Sequence, residues 1–279
     1  MGKFQSEYVL YGGRIKMVFN KQWHRYTVNN IPVPSVTNIL KVRANPALEG
    51  WAVKMTAQYF APILETGIAP CTKSQIIEIL KSAKAYRFEV SKEATDIGKD
   101  FHDWAEEYIN HKIAREDKVP KLPENEISVR CIDAFLEWEK ENDVVYLSSE
   151  RKIYSEKYNY AGTLDVECLV NGALTLLDFK TSNGIYESYY IQLASYVAAR
   201  EEEGSEPFEQ ILVLRVPKDG SEFEVGLISN RDDIDYLFKV FRACLYLYNF
   251  NEGFKLEQKI KSKIKKLAVK TEQQPSNPE

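Results

Sequence analysis

The sequence predicts a mixed α/β fold: a central mixed β-sheet, containing an antiparallel hairpin, flanked by helices. Three observations predict it. Residues 94–112 and 127–141 repeat apolar side chains at helical spacing. Residues 144–180 turn into three successive β-rich stretches with no helix between them. Helix and strand patterns then alternate to residue 252. A purely parallel, doubly wound sheet would need a helix between each pair of those strands.

Residues 7–41 read as short strands, YVLYGGRIKMVF and RYTVNNIPVPSVTNIL, with Gly12-Gly13 and Asn29-Asn30 as hairpin turns. Ser35 and Thr37 are suited to cap a short helix through Leu40. Residues 47–60 and 74–89 are helical, separated by the loop ETGIAP with Gly67 and Pro70 as breakers. In the helix at 94–112, Ile97, Phe101, Trp104, Ala105 and Tyr108 share one face. The polar stretch 114–126 holds two prolines and is a loop. Val129, Ile132, Phe135, Leu136 and Trp138 mark the apolar side of the helix at 127–141. The strands VVYLSSERKIY, YAGTLDVECLV and ALTLLDFK follow, then a helix at 188–203 and strands at 211–216 and 222–228. The helix at 231–252 buries Ile234, Leu237, Phe238, Phe241, Leu245 and Tyr248. The chain thus divides into an N-terminal subdomain (1–93), a core (94–254), and a Lys-rich helix with a disordered tail, QQPSNPE (255–279).

With 279 residues, 44% hydrophobic and 28% charged, the chain can bury a full core without staples. The net charge of −4 excludes a globally basic nucleic-acid binder. Local basicity remains: residues 255–279 hold seven lysines against three acids, which leaves −8 on the rest. Cys71, Cys131, Cys168 and Cys244 show no CxxC and no zinc or iron–sulfur spacing, so reduced thiols are expected. No apolar run reaches 18 residues, and the N-terminus lacks a signal-peptide pattern, so a cytoplasmic protein without a membrane span is expected.

The most informative segment is YAGTLDVECLVNGALTLLDFKTS, residues 160–182. Asn171-Gly172 specifies a two-residue type I′ turn, because both positions require positive φ. Counting outward from Val170 and Ala173 brings Asp165 opposite Asp178. Cross-strand side chains lie about 5 Å apart, so the two carboxylates need a proton, a cationic side chain or a metal to neutralise them. Lys180, two residues after Asp178, points to the same face. Such hard oxygen ligands suit Mg²⁺ or Mn²⁺. The competing reading is an Asp–Lys–Asp salt-bridge cluster on a solvated face.

These residues resemble the PD-(D/E)XK nuclease superfamily, and within it the RecB-like exonucleases. Gly162-Thr-Leu-Asp165, Asp178-Phe179-Lys180, Gln192-Leu-Ala-Ser-Tyr196 and the upstream Gly98-Lys-Asp-Phe-His102 match the family's motifs in order. YTVNNIPVPSVTNIL also looks like the N-terminal region of phage-encoded members. The resemblance implies a restriction-endonuclease-like core and a metal-dependent DNA exonuclease of replication, recombination or repair. It implies that Asp165 and Asp178 hold one or two Mg²⁺ or Mn²⁺ ions, with His102 and the Phe179 carbonyl as further ligands. Lys180 would orient or activate the attacking water; Gln192 and Tyr196 would support the site or touch the DNA backbone. The cysteines do not fit the pattern of members with an iron–sulfur cluster, so none is expected. Helicase motifs are lacking, which implies standalone action or action through a replication or recombination partner, in a host cytoplasm for a phage-encoded member. The DNA would be single-stranded or carry free ends.

Two alternatives stay open at this level: a catalytically inactive, nuclease-like DNA-binding or assembly module, and a metal-dependent phosphohydrolase of small nucleotides. Glu150 is available as an additional acidic ligand but reads more simply as a solvated strand residue. Leu256, Ile260, Ile264 and Leu267 repeat at helical spacing among lysines, a pattern that serves phosphate tracking or packing on the body. Some of the 17 Tyr and four Trp are candidate stacking platforms for single strands.

Overall fold

A computed structural model describes residues 4–43, 46–65, 72–218 and 223–272. The fold is mixed α/β, as predicted. Strands β1 (Gln5–Leu10), β2 (Ile15–Asn20), β3 (Arg25–Val28) and β4 (Ile31–Val33) form an antiparallel sheet in that order. Asn29 and Asn30 take φ of 49° and 64°, the left-handed pair that a two-residue hairpin demands. Helix α1 (Val36–Leu40) starts at Ser35, whose side chain accepts from the Asn38 N–H.

Helices α2 (Pro46–Glu65) and α3 (Lys73–Ile113) pack on each other. A capping box opens α3: Gln75 N–H donates to Thr72 Oγ1, and Thr72 N–H to Gln75 Oε1. The sequence reading placed two helices here, at 74–89 and 94–112, and the structure makes them one. No Gly or Pro lies in the intervening Val90–Glu93 to end the hydrogen-bond ladder, and Thr95 Oγ1 donates back to the Ser91 carbonyl within it. The loop ETGIAP, with Gly67 and Pro70, falls beyond Glu65 outside the described residues, as do Cys71 and QQPSNPE. Cys131, Cys168 and Cys244 are buried free thiols.

Helix α4 (Glu126–Glu141), capped by Asn125 on the N–H groups of Ile127 and Ser128, leads into the main sheet. Its strands are β5 (Val144–Ser155), β6 (Tyr160–Val170), β7 (Ala173–Lys180), β8 (Gln210–Arg215) and β9 (Glu224–Ile228), hydrogen-bonded in that order. All neighbours are antiparallel except β7 and β8, which α5 (Glu187–Glu203) connects as a crossover. Helix α6 (Arg231–Glu272) runs past the expected stop at 252; the ion pairs Lys255–Glu252 and Lys261–Glu257 span its turns.

The sheet has a core on each face. One packs α5 and α6 through Val197, Ile234, Phe241 and Leu245 against Leu164, Leu176 and Val213. The other packs α3 and α4 through Phe101, Trp104, Ile132 and Phe135 against Val166, Leu177 and Phe179. The N-terminal sheet buries Met17, Phe19 and Tyr26 with Tyr154 and Ala161 of the β5–β6 hairpin. Ala161 N–H, donating to the Pro34 carbonyl at 2.9 Å, ties the two sheets together.

Candidate metal centre

Asn171 and Gly172 have φ of 52° and 84°, and the register runs from Val170–Ala173 to Val166–Leu177 as the turn dictates. Asp165 and Asp178 come next, but the backbone ladder ends before them. Asp165 Oδ2 instead accepts the Phe179 N–H at 2.9 Å. On the other side of β6, Asp165 falls opposite Glu150, between the Ser149–Val166 and Arg151–Leu164 pairs. Glu150 adopts φ of 49°, in the left-handed region that non-glycine residues rarely occupy. Both strands are thus irregular at the same level, next to the end of β7.

Helix α3 brings His102 to this point. A Cβ on Gly98, one turn earlier, would lie 2.7 Å from Thr181 Oγ1, so only glycine lets the helix sit so close to the end of β7. His102 Nδ1 is 3.8 Å from Asp165 Oδ2, and its ring meets the Phe179 ring edge-on. His102, Glu150 and Asp165 each offer a ligand atom, all within 4.8 Å of one another, from partly buried positions. This set could hold a metal ion. Glu150 belongs to it and is half-buried, contrary to its reading as a solvated strand residue; it lies across from Asp165 and has a left-handed backbone that the spacing of SSERKIY does not mark.

Asp178 and Lys180 lie beside this set. Asp178 is 1% exposed and forms an ion pair with Lys180. Lys180 Nζ also lies 5.0 Å from the Tyr189 ring centre. Asp178 is not among the three clustered ligand atoms.

The charges explain the protonation states. Burial, opposed by Lys180 and reinforced by Asp165, pushes Asp178 up to about 6. Burial and the neighbouring Asp165 push Glu150 up to about 7. Burial also raises Asp165, against the pull of Lys180 and the Phe179 N–H. Burial pulls Lys180 down, but Asp178 and Asp165 outweigh it and hold the ammonium above the ordinary lysine range. Burial and the Lys180 charge push His102 down to about 4, so the imidazole is neutral at pH 7, the form a metal ligand needs. Two carboxylates and a neutral imidazole fit a divalent cation, and the buried Asp178 oxygens offer a further carboxylate beside them.

Gln192 and Tyr196 are placed behind this face. Tyr196, 2% exposed, receives a hydrogen bond from Gln192 Nε2 at 2.9 Å. A Cβ on Gly162 would stand 2.5 Å from Tyr196 Cε1, so the tyrosine ring occupies the space the glycine vacates. Gly162 and Tyr196 therefore lock α5 onto β6 three residues before Asp165. At this burial the Tyr196 ring does not reach the surface.

The N-terminal sheet also borders the site. Lys152 Nζ lies 5.6 Å from the Tyr8 ring and 5.2 Å from the Phe19 ring, while donating to the Glu150 carbonyl. Tyr26 OH shares a 2.8 Å hydrogen bond with Thr163 Oγ1. No helix among the described residues is long and apolar enough to cross a membrane.

No protein-family model matches the chain, and no curated protein does. Among solved structures, the crystal structure of SSO0001 aligns over 42% of this chain at 16% identity and a TM-score of 0.26. The match spans about half of that structure's chain, 55%, and is too remote to carry an argument on fold or function.

Proposed function

We propose that the chain is a divalent-metal-dependent nuclease of the PD-(D/E)XK type, acting on DNA with Mg²⁺ or Mn²⁺. The observation that carries this reading is the convergence of His102, Glu150 and Asp165 within 4.8 Å, beside the buried Asp178–Lys180 pair. A bound divalent cation supplies Lewis acidity and a hydroxide-like water at neutral pH. The chain's own residues do the rest. His102, Glu150 and Asp165 hold the cation, and Asp178 adds negative charge beside it. Lys180 keeps its proton next to two carboxylates, which suits it to orient a water and stabilise charge building on a phosphate. The Gly162–Tyr196 and Gly98–Thr181 contacts fix the strand and the helix that carry these groups.

A time course on end-labelled single- and double-stranded DNA, with Mg²⁺, Mn²⁺ or EDTA, tests this. Cleavage that needs the metal and starts from ends is expected. DNA binding without metal-dependent cleavage would favour an inactive, nuclease-like module, and preferential hydrolysis of free nucleotides a phosphohydrolase.

A further inference from the structure

Lys152 is a buried lysine, 7% exposed, on the strand that carries Glu150. Its ammonium donates to the Glu150 backbone carbonyl at 2.8 Å and lies 3.4 Å from Glu150 Oε2. Tyr8 and Phe19 wall it in with their ring faces. The same Glu150 is the residue of this strand with positive φ. A left-handed backbone is strained for a non-glycine residue and persists where the surroundings over-determine it.

We propose that Lys152 is a positioning residue for the metal ligand Glu150. Its ammonium fastens the left-handed turn through the carbonyl and so aims the carboxylate at Asp165 and His102. The aromatic walls of the N-terminal sheet hold the ammonium in place, which makes that sheet a structural part of the metal centre. The inference rests on the proposed metal function, since it assigns a role toward the same site. Lys180 differs in kind: it pairs with Asp178 rather than with Glu150.

The test is Mn²⁺ titration of the full-length protein by calorimetry, with wild type, Glu150→Gln and Lys152→Met compared. Methionine keeps the volume of the lysine stem and removes the donor. Outer partners of metal ligands typically change affinity by roughly 10–100-fold, so Lys152→Met is expected to bind Mn²⁺ at least tenfold more weakly. In the cleavage assay it should raise the metal concentration for half-maximal rate while sparing the rate at saturation. If Glu150→Gln weakens binding and Lys152→Met does not, the role of Lys152 is overturned and the metal reading stands. If wild type binds no Mn²⁺, both fall. Should Lys152→Met fail to fold, Tyr8→Leu, which opens the enclosure at a half-buried position, replaces it. A loss of twofold or more then supports the inference, and wild-type affinity overturns it.

Discussion

On the proposed reading, protons and metal compete for Glu150, and the competition would set a pH profile that ordinary ligands would not give. A cation needs the ionised carboxylate, and burial beside Asp165 pushes Glu150 up to about 7. From pH 8 to pH 6 the proton therefore takes about a tenfold share of Mn²⁺ affinity, and by pH 5 about 100-fold, or roughly 3 kcal/mol. His102, pushed down to about 4, adds little over this range, because its lone pair stays free until the solution is far more acid. A solvated glutamate and an unperturbed histidine would reverse the order, with the imidazole setting an onset near 6.5 and the carboxylate silent above 5. The assay is calorimetric Mn²⁺ titration at pH 8, 7, 6 and 5 on wild type and Glu150→Gln. Wild type should lose affinity from about pH 7 downward, and the variant, weaker throughout, should lose that onset. Affinity flat from pH 8 to pH 6, or an onset at pH 7 that survives in Glu150→Gln, would refute the reasoning.

Other substitutions probe the scaffold and the chemistry. Gly162→Ala drives a methyl to 2.5 Å from the Tyr196 ring, in a core that cannot yield easily, and should cost about 1–3 kcal/mol in urea denaturation; a neutral result would show that Tyr196 moves freely. Gly98→Ala gains about 1 kcal/mol of helix propensity but meets Thr181 Oγ1 at 2.7 Å, so it should weaken Mn²⁺ binding, and adding Thr181→Ala should restore it. Additivity of the two changes in the double mutant would sink the close-approach explanation. Lys180→Met should lower the cleavage rate at saturating metal by at least about 100-fold while Mn²⁺ still binds; wild-type rates would remove Lys180 from the chemistry.

Much of the fold was legible because its signals are local. Asn171-Gly172 fixes a two-residue turn, and a strand pair then has one register, so the level of Asp165 and Asp178 followed from counting. Ile97, Phe101, Trp104, Ala105 and Tyr108 pack as one face because helical spacing leaves them no other arrangement. Gly98 is a costly residue inside a helix, and the close approach to Thr181 accounts for it. The unreadable parts depend on tertiary context. Glu150 reads as a solvated strand residue, and its place opposite Asp165 on β6 and its φ of 49° are set by tertiary context. Nothing within SSERKIY marks that excursion; the enclosing Tyr8 and Phe19 lie more than a hundred residues away in sequence. The two helices expected at 74–89 and 94–112 are one, because no residue in Val90–Glu93 opposes a helix.

Helix α3 is uninterrupted from Lys73 to Ile113, about 60 Å at 1.5 Å per residue. Its outer span packs beside α2, its inner span carries the His102 imidazole, and Gly98 sits against Thr181 between the two. One unbroken hydrogen-bond ladder thus joins the α2 contact to the candidate site.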